Sequence, residues 1–373
     1  MSGALAADAT ATVQLAVRRQ TGREHCLLVG RGTTAIYLAL KAVETAVGAG
    51  EVVLPTIGCA SIAQIVLYAG FRPIFADVEP ESFTLDVEAF RRAVTSRTKC
   101  VMPIHLYGHA ARMRQITEVA REKGVFVIED AAQALGGMCD GRPIGAHGDF
   151  SILSFSGDKI LNAGGGGALL TDNPDLAATA AKAATNLPPF RQTDADRLKE
   201  LSHRNLYHAL VDLLRATPDT RVASTFRSAL PFYEDLYVQQ YPGDPAISAR
   251  VASGFASLRS AVEARVERGR RYAAALVGAD VTIPPRWAES GVLWRFTLSV
   301  NEAALAIPVT SALRDQGIHA SNHYWSLADL LDDDKNHPTT AHLCPRVLNL
   351  WVDESATPEY IDRSCDIILS TLR

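Results

Sequence analysis

Apolar residues in the first half of the chain come in short unbroken runs rather than in alternation with polar ones. The runs are HCLLVG (25–30), EVVLP (51–55), RPIFADV (72–78), TKCVMPIHL (98–106), VFVIED (125–130), FSILSFS (150–156) and GALLTD (167–172). Alternation would signal a sheet with one wet face; unbroken runs signal strands buried on both faces. Between the first five runs lie segments charged along one side, such as DVEAFRRAVTS and ARMRQITEVAREKG. Strands separated by such helices need crossover connections, so the pattern predicts an α/β fold with a mostly parallel central sheet layered by helices.

The pattern breaks over residues 187–245. A polar stretch with Pro-bounded helical pieces gives way to the aromatic, Pro/Gly-marked PFYEDLYVQQYPGDP. It reads as a helical excursion over the large domain, serving as a lid or an interface. From Ile247 a long amphipathic helix leads into the strand VLWRFTLSV, the helix ALAIPVTSALRDQG, the strand-like IHASNHYW and the closing helix PEYIDRSCDIILSTLR. The expected division is a large α/β domain over 1–245, carrying the excursion, and a small C-terminal α+β domain over 246–373.

Composition narrows the function classes. The chain has 373 residues, 47% hydrophobic and 21% charged, with a formal net charge of −4. That charge gives no electrostatic case for nucleic acid or an anionic membrane as partner. No apolar run approaches the ~20 residues that span a bilayer, and MSGALAADATATVQLAVRRQ lacks the ordered regions of a secretory signal. The six cysteines show no C-x-x-C spacing, and several lie in apolar runs as reduced small hydrophobes. The cytoplasm is the expected location. Asp332-Asp333-Asp334 has no neighbouring ligand pattern and reads as a solvated loop, so no metal site is expected.

Three stretches carry candidate chemistry. In LLVGRGTTAIYLAL (27–40) a strand runs through Gly30-Arg31-Gly32-Thr33-Thr34 into a helix. A nicotinamide-dependent fold would end its next strand in an acid for the ribose, yet that strand, EVVLP, ends in Leu54-Pro55. What remains is a glycine turn, two threonines and a helix N-terminus. It suits a single phosphate or is a plain tight turn with Thr as N-cap. In VFVIEDAAQALGG (125–137) a strand ends in Glu129-Asp130, followed by Gln133. Asp130 there either faces a ligand crevice or caps a following helix.

In SILSFSGDKILNAGGGGALLTD (151–172) a strand ends at Ser154-Phe155-Ser156, turns at Gly157-Asp158, presents Lys159 and passes four glycines. Only seven residues are lysine, at 41, 99, 123, 159, 182, 199 and 335, and all but Lys159 have ordinary places on helices, strands or charged segments. A lysine in a partly desolvated pocket favours the neutral amine that attacks an aldehyde; the alternative is a surface lysine on a flexible turn. Together, a phosphate seat, a carboxylate and an amine at strand ends of one sheet are the three groups that pyridoxal 5′-phosphate needs.

These stretches resemble the DegT/DnrJ/StrS family of fold type I pyridoxal-phosphate enzymes, the sugar aminotransferases. GRGTTAIYLAL, VVLPTIGCAS, FRPIFADVEPESFTLD, MPIHLYGHAARM, VIEDAAQALG and SFSGDK…GGGG follow the family's motifs in order over residues 25–180. The resemblance implies Lys159 as the Schiff-base lysine and proton shuttle, and Asp130 as partner of the pyridinium nitrogen. It implies Gln133 against the phenolic oxygen, and Ser154, Gly32 and Thr33 around the phosphate. It further implies transfer of an amino group, from glutamate or glutamine, to a ketone of a sugar, cyclitol or related small molecule, in a homodimer. The family's often aromatic ring-stacking position is Cys59, its G-E-G-G is Gly164–Gly167, and its G-x-N-x-R has no clean counterpart. A lyase or C–C bond-forming enzyme on the same fold, and a catalytically silent sensor, are the other readings. His105 reads as a buried, hydrogen-bonded histidine. Arg295 reads as an edge-strand cap or a carboxylate anchor. Asn322-His323-Tyr324-Trp325 reads as site-facing or as aromatic packing.

Overall fold

The structure, a computed structural model, describes residues 2–216, 237–322, 324–331 and 335–373. Seven strands make the large sheet: β1 (His25–Val29), β2 (Glu51–Pro55), β3 (Arg72–Ala76), β4 (Thr98–Val101), β5 (Phe126–Asp130), β6 (Phe150–Ser154) and β7 (Gly167–Thr171). Each falls within one of the apolar runs. Their order is β1-β7-β6-β5-β4-β2-β3. Pairing is parallel from β3 through β2, β4 and β5 to β6. β7 runs antiparallel to both of its neighbours, β6 and β1. Every residue of β2, β6 and β7 is buried, as unbroken apolar runs require.

Helices cover the sheet in the expected alternation. α1 (Ser2–Thr21) precedes β1, and α2 (Gly32–Val47) follows it directly, burying Ala35, Ile36, Leu38, Ala39, Leu40 and Val43. α3 (Ala60–Tyr68), α4 (Val87–Ala93) and α5 (Met113–Lys123) connect the next strands. α5 ends at Gly124 with φ of 66°, the left-handed stop that glycine makes cheap. α6 (Pro174–Ala184) starts at a Pro behind Asn173, whose side chain accepts from the Asp175 and Leu176 amides.

The excursion contains α7 (Asp194–Ala216); its residues 217–236 lie outside the described residues. The chain then returns to the large sheet. Gln240 bridges Val29, and the Gly30 amide donates to Gln239 O at 3.0 Å. α8 (Pro245–Ala275) begins two residues before Ile247, because Asp244 caps it by accepting from the Ala246 amide at 2.7 Å. Leu258 and Val262 of α8 join the core under the large sheet, and Tyr272 joins a second core. One rod is thereby buried in both.

The second core lies between α9 (Ala303–Asp315), α10 (Pro358–Thr371) and a four-stranded antiparallel sheet. Its strands are β8 (Val281–Thr282), β9 (Arg295–Val300), β10 (Ala320–Ser321) and β11 (Val347–Trp351), in the order β8-β9-β11-β10. Two expectations are corrected. IHASNHYW supplies only the two residues of β10, and the central partner of β9 is VLNLW, which was not foreseen as a strand. Arg295 does not cap an edge strand, since β9 pairs on both sides. His323 and Asp332–Asp334 lie outside the described residues. Among the described residues no cluster of metal-ligating side chains occurs, and no helix is long and apolar enough to cross a membrane.

Gly167 sets how closely β7 can approach the turn before α2. A Cβ there would lie 2.8 Å from the Arg31 carbonyl carbon and Leu153 O and 2.9 Å from the Gly32 amide nitrogen, all backbone atoms. Gly167→Ala should therefore cost about 2–3 kcal/mol, read as a lowered urea midpoint with an unchanged m-value.

Candidate active site

The turn before α2 leaves backbone donors open. Arg31 takes the N-cap position with extended backbone (φ −153°, ψ 164°) and makes no side-chain cap. The first helical amide to find a backbone acceptor is Ala35, on Arg31 O at 3.2 Å. Among the described residues the amides of Gly32, Thr33 and Thr34 find no acceptor, and they lie at the positive end of the helix dipole. The reading of Thr as N-cap is overturned. The Thr33 and Thr34 hydroxyls instead donate to Tyr237 O, at 2.6 and 3.1 Å, which straps the returning chain over the turn. A Cβ on Gly32 would sit 3.2 Å from Ser154 Cβ and 3.6 Å from its Oγ. The hydroxyl at the end of β6 thus lies beside the open amides only because residue 32 is glycine.

At the end of β5 the two acids part company, because successive side chains of a strand face opposite ways. Glu129 is wholly buried and accepts from His105 Nε2 (3.1 Å), the Gly145 and His147 amides (2.8 Å each) and Ser151 Oγ (2.6 Å). Burial pushes its carboxyl up, but the hydrogen bonds from His105 and Ser151 pull it down, and it ends below the usual range. The Ala111 amide donates to His105 Nδ1 at 3.1 Å, so the proton of the neutral ring sits on Nε2, facing Glu129. His105 is the buried, hydrogen-bonded histidine expected.

Asp130 has a different environment. No helix follows it; residues 132–136 form a turn, and Asp130 Oδ1 accepts from the Ala132 amide at 2.9 Å. The helix-cap reading of Asp130 is overturned with it. Among the described residues its other oxygen takes no hydrogen bond. Burial holds its carboxyl above the usual range, against the Ala132 amide and the charge of Lys159, which pull it down. A buried carboxylate with one open oxygen is a seat for a cationic N–H.

Lys159 follows a strained turn. Asp158 has φ of 71°, unusual for a residue with a side chain. Its carbonyl is pinned by Trp294 Nε1 at 2.5 Å. Lys159 is half-buried, and its Nζ lies 5.1 Å from the centroid of the Trp294 ring. Trp294, Tyr107 and Tyr324 form an aromatic wall. Tyr107 stacks on Tyr324 at 5.5 Å and on Trp294 at 6.5 Å, and Trp294 on Tyr324 at 6.2 Å. Gln133 locks this wall to β5. Its Oε1 accepts from the Tyr107 amide at 2.8 Å, and its Nε2 donates to Tyr324 Oη at 3.0 Å, leaving one N–H of the amide group.

Cys59 sits at the start of α3 with its sulfur 3.1 Å from Ser61 Oγ. Burial pushes the Tyr324 phenol well above its usual range, and Cys59 and Asp158 push it further. The structure joins Asp130, Gln133 and Lys159 in one group and Gly32, Thr33 and Ser154 in another, both at the carboxyl ends of β1, β5 and β6. Sequence reasoning missed Trp294 and Tyr107. Trp294 lies 136 positions from the Asp158 carbonyl it holds, and no local spacing signals that.

A largely parallel sheet with a carboxylate, a lysine and an open helix N-terminus at its strand ends is the fold of a type I pyridoxal-phosphate-dependent transferase. The sequence profile of the DegT/DnrJ/EryC1/StrS aminotransferase family matches residues 9–193. A UDP-N-acetyl-3-dehydro-alpha-D-glucosamine 3-aminotransferase from Acidithiobacillus ferrooxidans is 30% identical over 365 residues, 94% of this chain and 85% of that protein. A GDP-perosamine synthase from Caulobacter vibrioides is 42% identical over 158 residues, 42% of each chain, so that match spans about two-fifths of its length. A crystal structure of DesI in the presence of its TDP-sugar product superposes with a TM-score of 0.74 at 25% identity, covering 97% of this chain and 84% of that one. The chain belongs to the DegT/DnrJ/EryC1/StrS aminotransferase family.

The raised carboxyl of Asp130 has a signed consequence. An acid whose folded pKa lies above its unfolded value stabilises the fold below the unfolded value and loses that contribution as pH rises through the folded one. In ligand-free protein, Asp130→Asn should melt higher than wild type at pH 7, with the gap closing as pH falls through the acid range. Matched thermal scans at several pH values check this; a lower melting temperature for the variant at pH 7 contradicts it.

Proposed function

We propose that the chain is a pyridoxal-phosphate-dependent aminotransferase that takes an amino group from an amino acid, glutamate or glutamine, and delivers it to the ketone of a sugar, cyclitol or related small biosynthetic intermediate. One observation carries the reading. A half-satisfied buried carboxylate, Asp130, and an amine, Lys159, interact at strand ends beside a helix whose first amides are open. The residues present fit the cofactor group by group. The Gly32 and Thr33 amides with Ser154 Oγ would hold the phosphate, and the open oxygen of Asp130 the ring N–H. The remaining N–H of Gln133 would meet the phenolic oxygen, Cys59 would lie against the ring, and Lys159 would meet the aldehyde carbon.

Bound there, pyridoxal phosphate supplies an electron sink for the substrate carbon that carries the nitrogen. Asp130 keeps the sink effective by remaining an anion against the ring nitrogen, and the cationic partner offsets the burial that otherwise favours its acid form. Lys159 Nζ takes the proton released at the substrate carbon and returns it on the far side of the transfer. The Trp294 face holds the lysine by a contact worth ~0.5–2 kcal/mol, which is weak enough to yield when substrate arrives. The aromatic wall excludes water from that proton. The likeness to sugar aminotransferases supports a keto-sugar or keto-cyclitol acceptor. We further propose a cytoplasmic homodimer acting on a small-molecule amino donor and a keto acceptor.

Purified protein incubated with pyridoxal phosphate should turn yellow, and borohydride should fix the cofactor's mass to the peptide that carries Lys159. Lys159→Ala should take no fixed mass. L-glutamate or L-glutamine should bleach the wild-type chromophore, and a keto acid should restore it. Unbleached protein, or fixation at another lysine, defeats the proposal.

A further inference from the structure

The glycine turn carries a cation of its own. Arg31 stands at the N-cap of α2, directly before the open amides of Gly32, Thr33 and Thr34, and is 8% exposed. Its guanidinium meets Glu200 of α7 end-on, with Nη1 donating to Oε1 at 2.9 Å and Nη2 to Oε2 at 3.2 Å. The Glu200 side chain is 39% exposed and that of Arg31 10%, so the carboxylate lies on the outer side of the pair. Arg31 Nε is buried and has no hydrogen-bond partner among the described residues. The guanidinium edge that Glu200 leaves unused is therefore an unanswered donor inside the protein.

Tyr237 keeps that donor at the turn. Its carbonyl accepts from the Thr33 and Thr34 hydroxyls, and its ring centroid lies 5.9 Å from the Arg31 guanidinium carbon. The Tyr237 hydroxyl is 2.9 Å from His203 Nδ1, also on α7. Arg31 and the two threonines thus share one neighbour, and α7 holds both that neighbour and the guanidinium. A phosphate monoester seated on the turn carries close to two negative charges at neutral pH. The three amides are neutral, and the helix dipole amounts to about half a charge. Lys159 is placed for the aldehyde carbon and Asp130 is itself an anion, so neither supplies the missing positive charge. A buried guanidinium with a free N–H edge does, through directed, charge-assisted hydrogen bonds. Glu200 opposes it, because a carboxylate on the same guanidinium neutralises the cation and repels the phosphate.

We propose that Arg31 is the counter-cation of the cofactor phosphate and that Glu200 competes with the phosphate for it, so that the excursion, through α7, sets how tightly the cofactor is kept. This role deepens the aminotransferase reading and rests on it for the cofactor, but it is tested by binding, without turnover.

Pyridoxal phosphate, and pyridoxal, which lacks the phosphate, are titrated into cofactor-free protein, and the dissociation constants are read from the absorbance of the chromophore. Arg31→Gln, with near-UV circular dichroism matching wild type, should weaken pyridoxal phosphate at least about 10-fold and leave pyridoxal unchanged. Arg31→Lys, which keeps the charge, should recover part of that loss. Glu200→Gln, a change at a partly exposed residue, should tighten pyridoxal phosphate by up to about 5-fold, the worth of a partly exposed pair. The opposite signs decide the matter, since a pair that only fastened α7 to the turn would weaken binding when either partner was removed. Weakening by both Gln variants, an equal loss for pyridoxal and pyridoxal phosphate, or no change in Arg31→Gln overturns the counter-cation. A loss confined to a nucleoside diphosphate, with UDP as the probe on cofactor-loaded protein, gives the arginine to the acceptor and overturns it too. Wild-type protein that takes up neither pyridoxal compound fails the aminotransferase reading and the counter-cation with it, whereas uptake with any of those other patterns fails the counter-cation alone.

Discussion

The site depends on a carboxylate that takes no part in its chemistry. Glu129, buried without access to water, collects four donors from three separate parts of the chain: the His105 ring, the Gly145–His147 loop and Ser151 on β6. Removing a carboxylate from water is costly, and only a full set of hydrogen bonds makes it tolerable. That set is met in one register of β5 against β6, where Glu129 stands opposite Ser151. A slip of one residue would turn Glu129 outward and Asp130 inward. The register that satisfies Glu129 therefore aims Asp130 at the other face. Backbone bonds from Asp130 N to Pro103 O and from His105 N to Asp130 O hold the same alignment from the β4 side.

The residues on the reactive side are arranged in the opposite sense. Asp130 keeps an oxygen open, α2 starts without a side-chain cap, Asp158 sits in left-handed backbone, and two arginines are buried without carboxylates. The missing cap and the strained residue are each unfavourable by ~1–3 kcal/mol, and a buried charge without an ionic partner by more. They cluster around one set of strand ends, while the cores beneath are apolar and closed. Stability is supplied away from the site and given up at it, which is the usual distribution where ligand must complete the hydrogen bonds.

Much of the large sheet was legible because its strands are buried on both faces, and such burial leaves unbroken apolar runs that no turn residue interrupts. The glycine turn, Asp130 and Lys159 were legible because the chemistry-bearing groups of a parallel sheet lie just past its apolar runs. Direction was not: GALLT reads the same whether β7 runs with its neighbours or against them, and the connection over 155–166, long enough for a crossover, holds no helix and returns the chain antiparallel. VLNLW was passed over because its single polar Asn349 breaks the run; in the structure Thr297 Oγ1 donates to that side chain at 2.7 Å across the β9–β11 pair. Asp130 as a helix cap and Thr as an N-cap were sound local readings that tertiary partners overrode, a backbone turn in one case and the Tyr237 carbonyl in the other. The contacts of Trp294 and Arg265 join residues far apart in the chain, which local spacing does not signal, whereas Tyr324 lies in the stretch that read as site-facing or as aromatic packing.

Trp294 ties these parts together. Its indole N–H holds the strained carbonyl next to Lys159, one aromatic ring serves both the lysine and Arg295, and its carbonyl receives Arg295 and Arg265. It packs with the core of the large sheet although it immediately precedes β9, whose Phe296 belongs to the second core. A displacement of one core against the other must therefore move the lysine, the arginines or both. Cation–π contacts tolerate lateral sliding better than a directed hydrogen bond does, because the attraction varies slowly over the ring face. The indole N–H to Asp158 is the rigid member of the set and the ring faces are the compliant ones. Relative motion of the cores would thus change where the guanidinium edge points before it changed where the lysine stands.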